Sequence, residues 1–278
     1  MNILKLVLRQ QYYYRVLQIE FYMKKIDAHQ HYYSIPHTLE DLIKRSKDAG
    51  IVKVCLSGGG KPFGQPGNDE VKQAFNLYPD MIVGFGFIRL GIDTWHLVDE
   101  LYEQGFRGLK TISPRKNYSD KEYYSIYKRA EELNMPILFH TGIKIFNPLD
   151  VKHDVACERM QPIFLDAIAR AFPKLKIIGA HLGVPWYNEA CMVARANPNV
   201  FFDLSGAINL LYELKPWFFE TLTYWEMAKE KFVFGVDDHY ERIPEAVNKF
   251  NILMDKLNFS QELREKIFYG NMEKILGL

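Results

Sequence analysis

The 278-residue sequence predicts an α/β chain folded as a single (β/α)8 barrel of the TIM type. Three observations point there. Short apolar runs alternate with amphipathic stretches from Lys25 onward, the pattern of βαβ units around a parallel sheet. Eight such runs, with no change of composition and no Pro/Ser-rich linker between them, suit one barrel better than a doubly wound sheet. Several of the runs end in histidine or aspartate, and a barrel gathers its functional groups where strands end and βα loops begin.

Residues 1–22 differ in character from the rest of the chain. Arg9, Gln10, Gln11 and Arg15 interrupt their apolar residues, so the stretch is too polar for a secretory core, and it ends in no small-residue cleavage site. Met23 directly precedes Lys24, Lys25 and Ile26. Residues 1–22 are therefore expected to be a dispensable extension and residues 23–278 the barrel domain. Strands are expected over 25–27, 52–56, 82–87, 108–112, 136–139, 175–180, 200–204 and 232–236. Helices are expected over 38–49, 94–104, 120–133, 161–172 and 243–250, where apolar residues recur three or four apart. Thr38 and Asp120 have the side chains of N-caps.

Composition excludes several function classes. The formal net charge is +1 and lysine and arginine are interleaved with acids, so no basic stripe matches a phosphate backbone and no nucleic-acid partner is expected. No apolar run has membrane-spanning length. Cys55, Cys157 and Cys191 are odd in number and lack a CxxC spacing, which argues against a disulfide framework and for a reducing, cytoplasmic location.

The first strand runs into Asp27-Ala28-His29-Gln30-His31. Side chains two apart on a strand share a face, so His29 and His31 can address one cation. A bare His-x-His is often coincidence; its position gives this one weight. The fifth run ends at His140, the sixth at His181 and the eighth at Asp237, followed by Asp238 and His239. Singly, His140 or His181 reads as a hydrogen-bonded strand-end histidine. Together with the first strand they place imidazoles and a carboxylate on one rim.

At these residues the sequence resembles the amidohydrolase superfamily, in the amidohydrolase-2 branch that also holds aminocarboxymuconate semialdehyde decarboxylase-like enzymes. The resemblance covers essentially residues 23–278. It rests on the opening Asp27-Ala28-His29-Gln30-His31, Gly108-Leu109-Lys110, His140, and His181-Leu182-Gly183-Val184-Pro185-Trp186. It continues through residues 199–206, Phe234-Gly235-Val236-Asp237 and Gly270-Asn271. What it implies is a TIM barrel with one divalent metal, zinc first and manganese as the alternative, held by His29, His31, His140 and Asp237, with His181 in reach of the metal-bound water. It also implies that Asp27 supports or occasionally joins the ligands, and that such barrels often pair as homodimers.

Three neutral imidazoles and a carboxylate leave a divalent ion with residual positive charge and an open position. Zinc then brings a water's pKa to roughly 7. In this reading Asp237 accepts the proton and returns it to the leaving group, and His181 orients the water or polarises the carbonyl. Three cations are candidates for substrate binding. Lys110 ends the fourth strand and either pairs with a substrate carboxylate, bridges two metals after carbamylation as in binuclear members, or lies in the barrel wall. Arg89 closes the third strand as a carboxylate clamp or a rim salt bridge. Arg159 lies in the long loop after strand five as a substrate contact or a solvated charge.

Other features carry less. Gly58-Gly59-Gly60-Lys61 lacks the phosphate-loop spacing and reads as a flexible loop over the site. Tyr32, Tyr33, Trp186 and Tyr187 either line an apolar pocket or simply pack. Ser205 has no nucleophile elbow around it. The favoured function is a metal-dependent hydrolase opening a lactone or amide of a small molecule that carries a carboxylate or carbonyl. A metal-dependent decarboxylase on the same barrel is the alternative, and a non-enzymatic binding barrel, disfavoured by the complete ligand set, is the second.

Overall fold

The computed structural model describes residues 23–33, 38–224 and 226–278; the extension expected at residues 1–22 lies outside them. Eight parallel strands follow one another in chain order around the sheet. They are β1 (Lys25–His31), β2 (Ile51–Ser57), β3 (Ile82–Phe87), β4 (Gly108–Thr111), β5 (Ile137–Phe139), β6 (Ile177–Gly179), β7 (Val200–Asp203) and β8 (Phe232–Val233). The sheet closes on itself where the Ala28 N–H donates to the Phe234 carbonyl at 2.9 Å and the Asp237 N–H to the His29 carbonyl at 2.8 Å. The predicted barrel is therefore the observed one.

Helices α1 (Leu39–Asp48), α2 (Asn68–Leu77), α3 (Trp95–Glu103), α4 (Tyr124–Glu132), α5 (Phe164–Ala171) and α6 (Tyr187–Ala196) connect β1 through β7, the short helical segments Ile208–Leu211, Pro216–Leu222 and Glu226–Lys229 lie between β7 and β8, and α7 (Ile243–Lys256) and α8 (Asn271–Leu276) follow β8. Thr38 caps α1 as expected. Its hydroxyl accepts the Asp41 N–H at 3.2 Å while the Asp41 carboxylate accepts the Thr38 N–H at 3.4 Å, a reciprocal box that satisfies two orphan donors. Asp120 accepts the Glu122 N–H at 2.9 Å ahead of α4. Among the described residues no helix is long and apolar enough to cross a membrane.

The period of two in the strands divides the core. Leu109, Ile137, Phe139, Ile177, Val200, Phe202 and Phe232 belong to the large cluster that includes the helices, whereas Leu138, Ile178, Phe201 and Val233 belong to a separate one. The second set fills the barrel interior, and Met272 and Ile275 of α8 pack into it. Residues of the same parity then climb toward the C-terminal rim, which is how Lys110, His140 and Asp203 come to face inward.

Element boundaries differ from expectation in three instructive places. β8 stops at Val233 instead of Val236, because the Phe234 N–H turns to the Ile267 carbonyl at 2.9 Å and Asp237 adopts φ +45°. β1 instead runs on to His31, paired along β2 as far as Ser57. α7 continues past Phe250 to Lys256, since Phe250, Leu253 and Met254 extend its buried stripe.

Candidate metal centre and catalytic pocket

β1 offers Asp27, His29 and His31 at alternate positions. The His29 Nδ1–H donates to Asp203 Oδ2 at 3.0 Å, and both side chains are fully buried. With its proton committed there, the ring turns the lone pair of Nε2 into the barrel. That nitrogen lies 3.3 Å from His31 Nε2 and 3.7 Å from Asp237 Oδ1, and His31 Nε2 lies 3.4 Å from the same carboxylate oxygen. Bonds of about 2.0–2.1 Å at tetrahedral angles place ligand atoms roughly 3.3 Å apart. The three donors therefore have the spacing of ligands around one small cation. The donor set fits a divalent metal.

Lys110 is buried inside the barrel, with Nζ 2.8 Å from His29 Nε2. Burial pushes its pKa down to about 8, against the pull of Asp237 and Asp203. One lone pair serves one partner, so a metal on His29 Nε2 would free this amine for another acceptor. Burial likewise holds His31 down at about 3, with Asp237 opposing. For Asp237 burial acts upward, but His29, His31, His181 and Lys110 prevail and lower it.

His181 sits at φ +60° in the turn after β6. Its Nδ1–H donates to the Ser205 carbonyl at 3.0 Å, and its backbone N–H to Asp203 Oδ1 at 3.0 Å. A Cβ on Gly206 would stand 3.2 Å from that Nδ1, so the close approach favours glycine. Held this way, His181 presents an unprotonated Nε2 3.5 Å from Asp237 Oδ2 and 3.3 Å from His140 Nδ1. Burial lowers its pKa, which keeps the ring neutral. His140 stands beside His181, outside the close group of His29, His31 and Asp237. Its Nε2 is buried without a partner, an orphaned donor or acceptor of the kind a ligand satisfies.

Asp27 does not converge with these groups. Its Oδ1 accepts the His29 N–H at 3.1 Å and the Val236 N–H at 3.0 Å, tying the seam between β1 and the end of β8. Burial raises its pKa well above the usual carboxylate value. Asp238 is engaged away from these groups: it accepts the His239 N–H at 2.8 Å and pairs with Arg242 Nε at 3.1 Å.

Arg89 and Arg159 are not brought to the pocket. Arg89 donates to the His153 carbonyl at 2.5 Å and meets His153 Nδ1 at 3.0 Å. Arg159 pairs with Asp154 at 3.0 Å within its own loop. Gly60 and Lys61 of the glycine-rich loop line the cavity that holds Arg89. Sequence reasoning gave Asp203 no role and set Ser205 aside as a nucleophile. Asp203 ends β7 on the inward face two residues after Phe201, so the strand-end rule that singled out Asp237 covered it too. Ser205 Oγ–H donates to Asp203 Oδ1 at 2.5 Å, with its oxygen 3.2 and 3.1 Å from Nδ1 of His29 and His181. It braces the two rings and is itself fully buried.

The pocket measures about 580 Å³ and is lined by His140, His181, Asp237, Ile143, Tyr187 and Leu210 among others. Tyr187 thus lines it, whereas Tyr33 packs on Tyr240 and His239. Lys144 also faces the pocket, but Asp150 takes its ammonium at 2.7 Å.

The profile of the amidohydrolase family, Amidohydro_2, matches residues 68–278. The chain belongs to this family. Solved structures agree on the fold. A TIM-barrel protein of Bordetella bronchiseptica is 21% identical over 86% of this chain and 83% of its own, with a TM-score of 0.69. The 2,6-dihydroxybenzoate decarboxylase of Rhizobium is 16% identical over 92% and 99%, with a TM-score of 0.65; it has also been solved with 2,6-dihydroxybenzoate. A probable 2-pyrone-4,6-dicarboxylic acid hydrolase of Acinetobacter baumannii, with citric acid bound, is 15% identical over 92% and 100%, with a TM-score of 0.63. A search of the curated proteins finds no match.

Proposed function

We propose that this protein is a metal-dependent hydrolase that opens a lactone or amide in a small molecule. The observation that carries the reading is the convergence of His29 Nε2, His31 Nε2 and Asp237 Oδ1 at 3.3 to 3.7 Å on a pocket lined by His140, His181 and Asp237. One divalent ion, zinc in the first instance, would be held by these three residues with His140 as the fourth. Such an ion supplies a lowered water pKa and a polarised carbonyl.

The chain's own groups do the remaining work. Asp237, kept ionised by the surrounding imidazoles and Lys110, accepts the proton of the attacking water and delivers it to the leaving group. His181 directs its bare Nε2 at that water, because the Ser205 carbonyl holds the proton on Nδ1. Lys110 is the cation available to a substrate carboxylate once released from His29. With Lys144 neutralised by Asp150, the rest of the pocket offers Ile143, Val184, Tyr187 and Leu210, walls that suit an apolar or ring-shaped body. The small acids named with the dihydroxybenzoate and citrate structures are in keeping with this class.

The test is a comparison of Asp237→Asn, Asp238→Asn and His181→Asn at equal metal content. Asp237→Asn and His181→Asn are expected to lose about 10² to 10⁴-fold in kcat/KM, while Asp238→Asn stays near wild type. Release of CO₂ without ring or amide opening would replace this reading with the carboxy-lyase one. A larger loss in Asp238→Asn than in Asp237→Asn would overturn the role given to Asp237.

A further inference from the structure

A second cavity of about 580 Å³ shares no lining residue with the catalytic pocket. Phe87, Leu97 and Leu101 supply apolar walls, and the polar ones carry Arg89, Arg115, His153 and Lys61 together with the carboxylates of Asp69 and Asp93. Arg89 is only 4% exposed. A buried cation ordinarily sits against a carboxylate, yet none of the described carboxylates reaches this guanidinium. Asp154 is taken by Arg159 at 3.0 Å and Arg115 at 3.8 Å. Asp93 accepts the backbone N–H of Arg89 at 2.7 Å, and Asp69 pairs with Lys61 at 2.8 Å. Of the five N–H groups of a guanidinium, three meet Ser113 O, His153 Nδ1 and His153 O, which leaves two. The guanidinium carbon lies 5.2 Å from the centre of the Phe63 ring, a cation–π contact.

We propose that this cavity is an anion site distinct from the catalytic pocket, taking a small organic acid whose carboxylate or phosphate group engages Arg89 and Arg115. A rigid planar fork with spare donors suits the paired oxygens of either group. The volume and the apolar walls call for a carbon skeleton rather than a bare ion. Nothing in this assignment depends on the hydrolase reading.

Calorimetric titration of the metal-loaded protein with succinate and, separately, with inorganic phosphate tests it and distinguishes the two sources of negative charge. At least one probe is expected to bind wild type, and Arg89→Met is expected to weaken it by about tenfold or more, as loss of a charge-assisted contact does. Arg115→Glu, at the exposed rim, is expected to weaken it as well and keeps the test decisive if Arg89→Met fails to fold. His181→Asn should bind the probe as wild type does. Absence of binding at millimolar probe, unchanged affinity in Arg115→Glu, or loss of binding in His181→Asn would each overturn the proposal. The last outcome would place the anion in the catalytic pocket.

Discussion

Asp203 decides which nitrogen of His29 faces the pocket. Its Oδ2 takes the Nδ1 proton, and its Oδ1 is shared by the N–H groups of His181 and Ser205 and by the Ser205 hydroxyl. With four donors drawn to it, it acts as the orienting carboxylate, and it lies close enough to His29 and His181 to form a second ligand-like group. Asp203→Asn preserves shape but sets an amide against the His29 proton. The expected result is a loss of about 10 to 100-fold in zinc affinity, measured by chelator competition; undiminished affinity would remove Asp203 from this role. Its pH signature has a definite sign. Burial acts upward on the carboxyl, but His29, His181 and Ser205 hold it well below its ordinary range. A depressed folded pKa means that the stabilisation is complete above the unfolded value of about 3.9 and fades only as pH falls through the lower folded value. Urea midpoints of metal-free wild type should therefore drop more steeply below pH 4 than those of Asp203→Asn.

The loop between β5 and α5 forms one wall of the pocket and depends on a single buried acid. Asp150 accepts both Lys144 Nζ–H contacts, at 2.7 and 2.8 Å, and the Asn147 N–H at 2.8 Å. Ile145 and Phe146 are left largely in solvent, so little apolar burial holds this segment. Lys144→Met strands the carboxylate, and leaving a largely buried acceptor without its donor costs about 1–3 kcal/mol. Because the cost falls on a loop, hydrogen exchange over residues 143–160 should quicken while the global unfolding temperature moves little; unchanged exchange would show that the pair does not hold the loop. Pairings of this kind are what the sequence conceals. The strands were legible because consecutive apolar residues have few other uses, and the caps of α1 and α4 because they act within three residues. Asp237 was legible as a rim carboxylate, but its left-handed φ and the early end of β8 were not, since both depend on Ile267 and on the closing bonds to β1. Arg89 and Arg159 were legible as charges near a rim, and only folding showed which side of the loop they serve.

At the scale of the molecule, parity and closure turn scattered residues into one centre, which is why the barrel and its convergent His29, His31 and Asp237 could be read in advance while Asp203 was given no role. The packing also makes the thiols unequal. Cys55 and Cys191 are buried and Cys157 is partly exposed; burial raises Cys55 and pushes Cys191 up to about 12. Native protein should therefore react with a thiol reagent at Cys157 first, with Cys55 and Cys191 following only in denaturant. The two ends of the chain are expected to differ in the same way. Every strand among the described residues, both closing bonds and all the candidate ligands lie within residues 23–278, and we propose that residues 1–22 are dispensable to them. The C-terminal end is built into the barrel. The Ile267 carbonyl takes the Phe234 N–H at 2.9 Å, Asn271 Nδ2 donates to the carbonyls of Glu230 and Phe232 at 2.8 Å, and Met272 fills the interior cluster with no exposure. Met272→Ala alone should cost about 2–5 kcal/mol. Deleting residues 1–22 should leave the unfolding temperature and kcat/KM as they are, whereas deleting residues 266–278 should abolish soluble, cooperatively folding protein. Loss of folding in the first deletion, or a stable and active barrel from the second, would reverse which end of the chain the closure depends on.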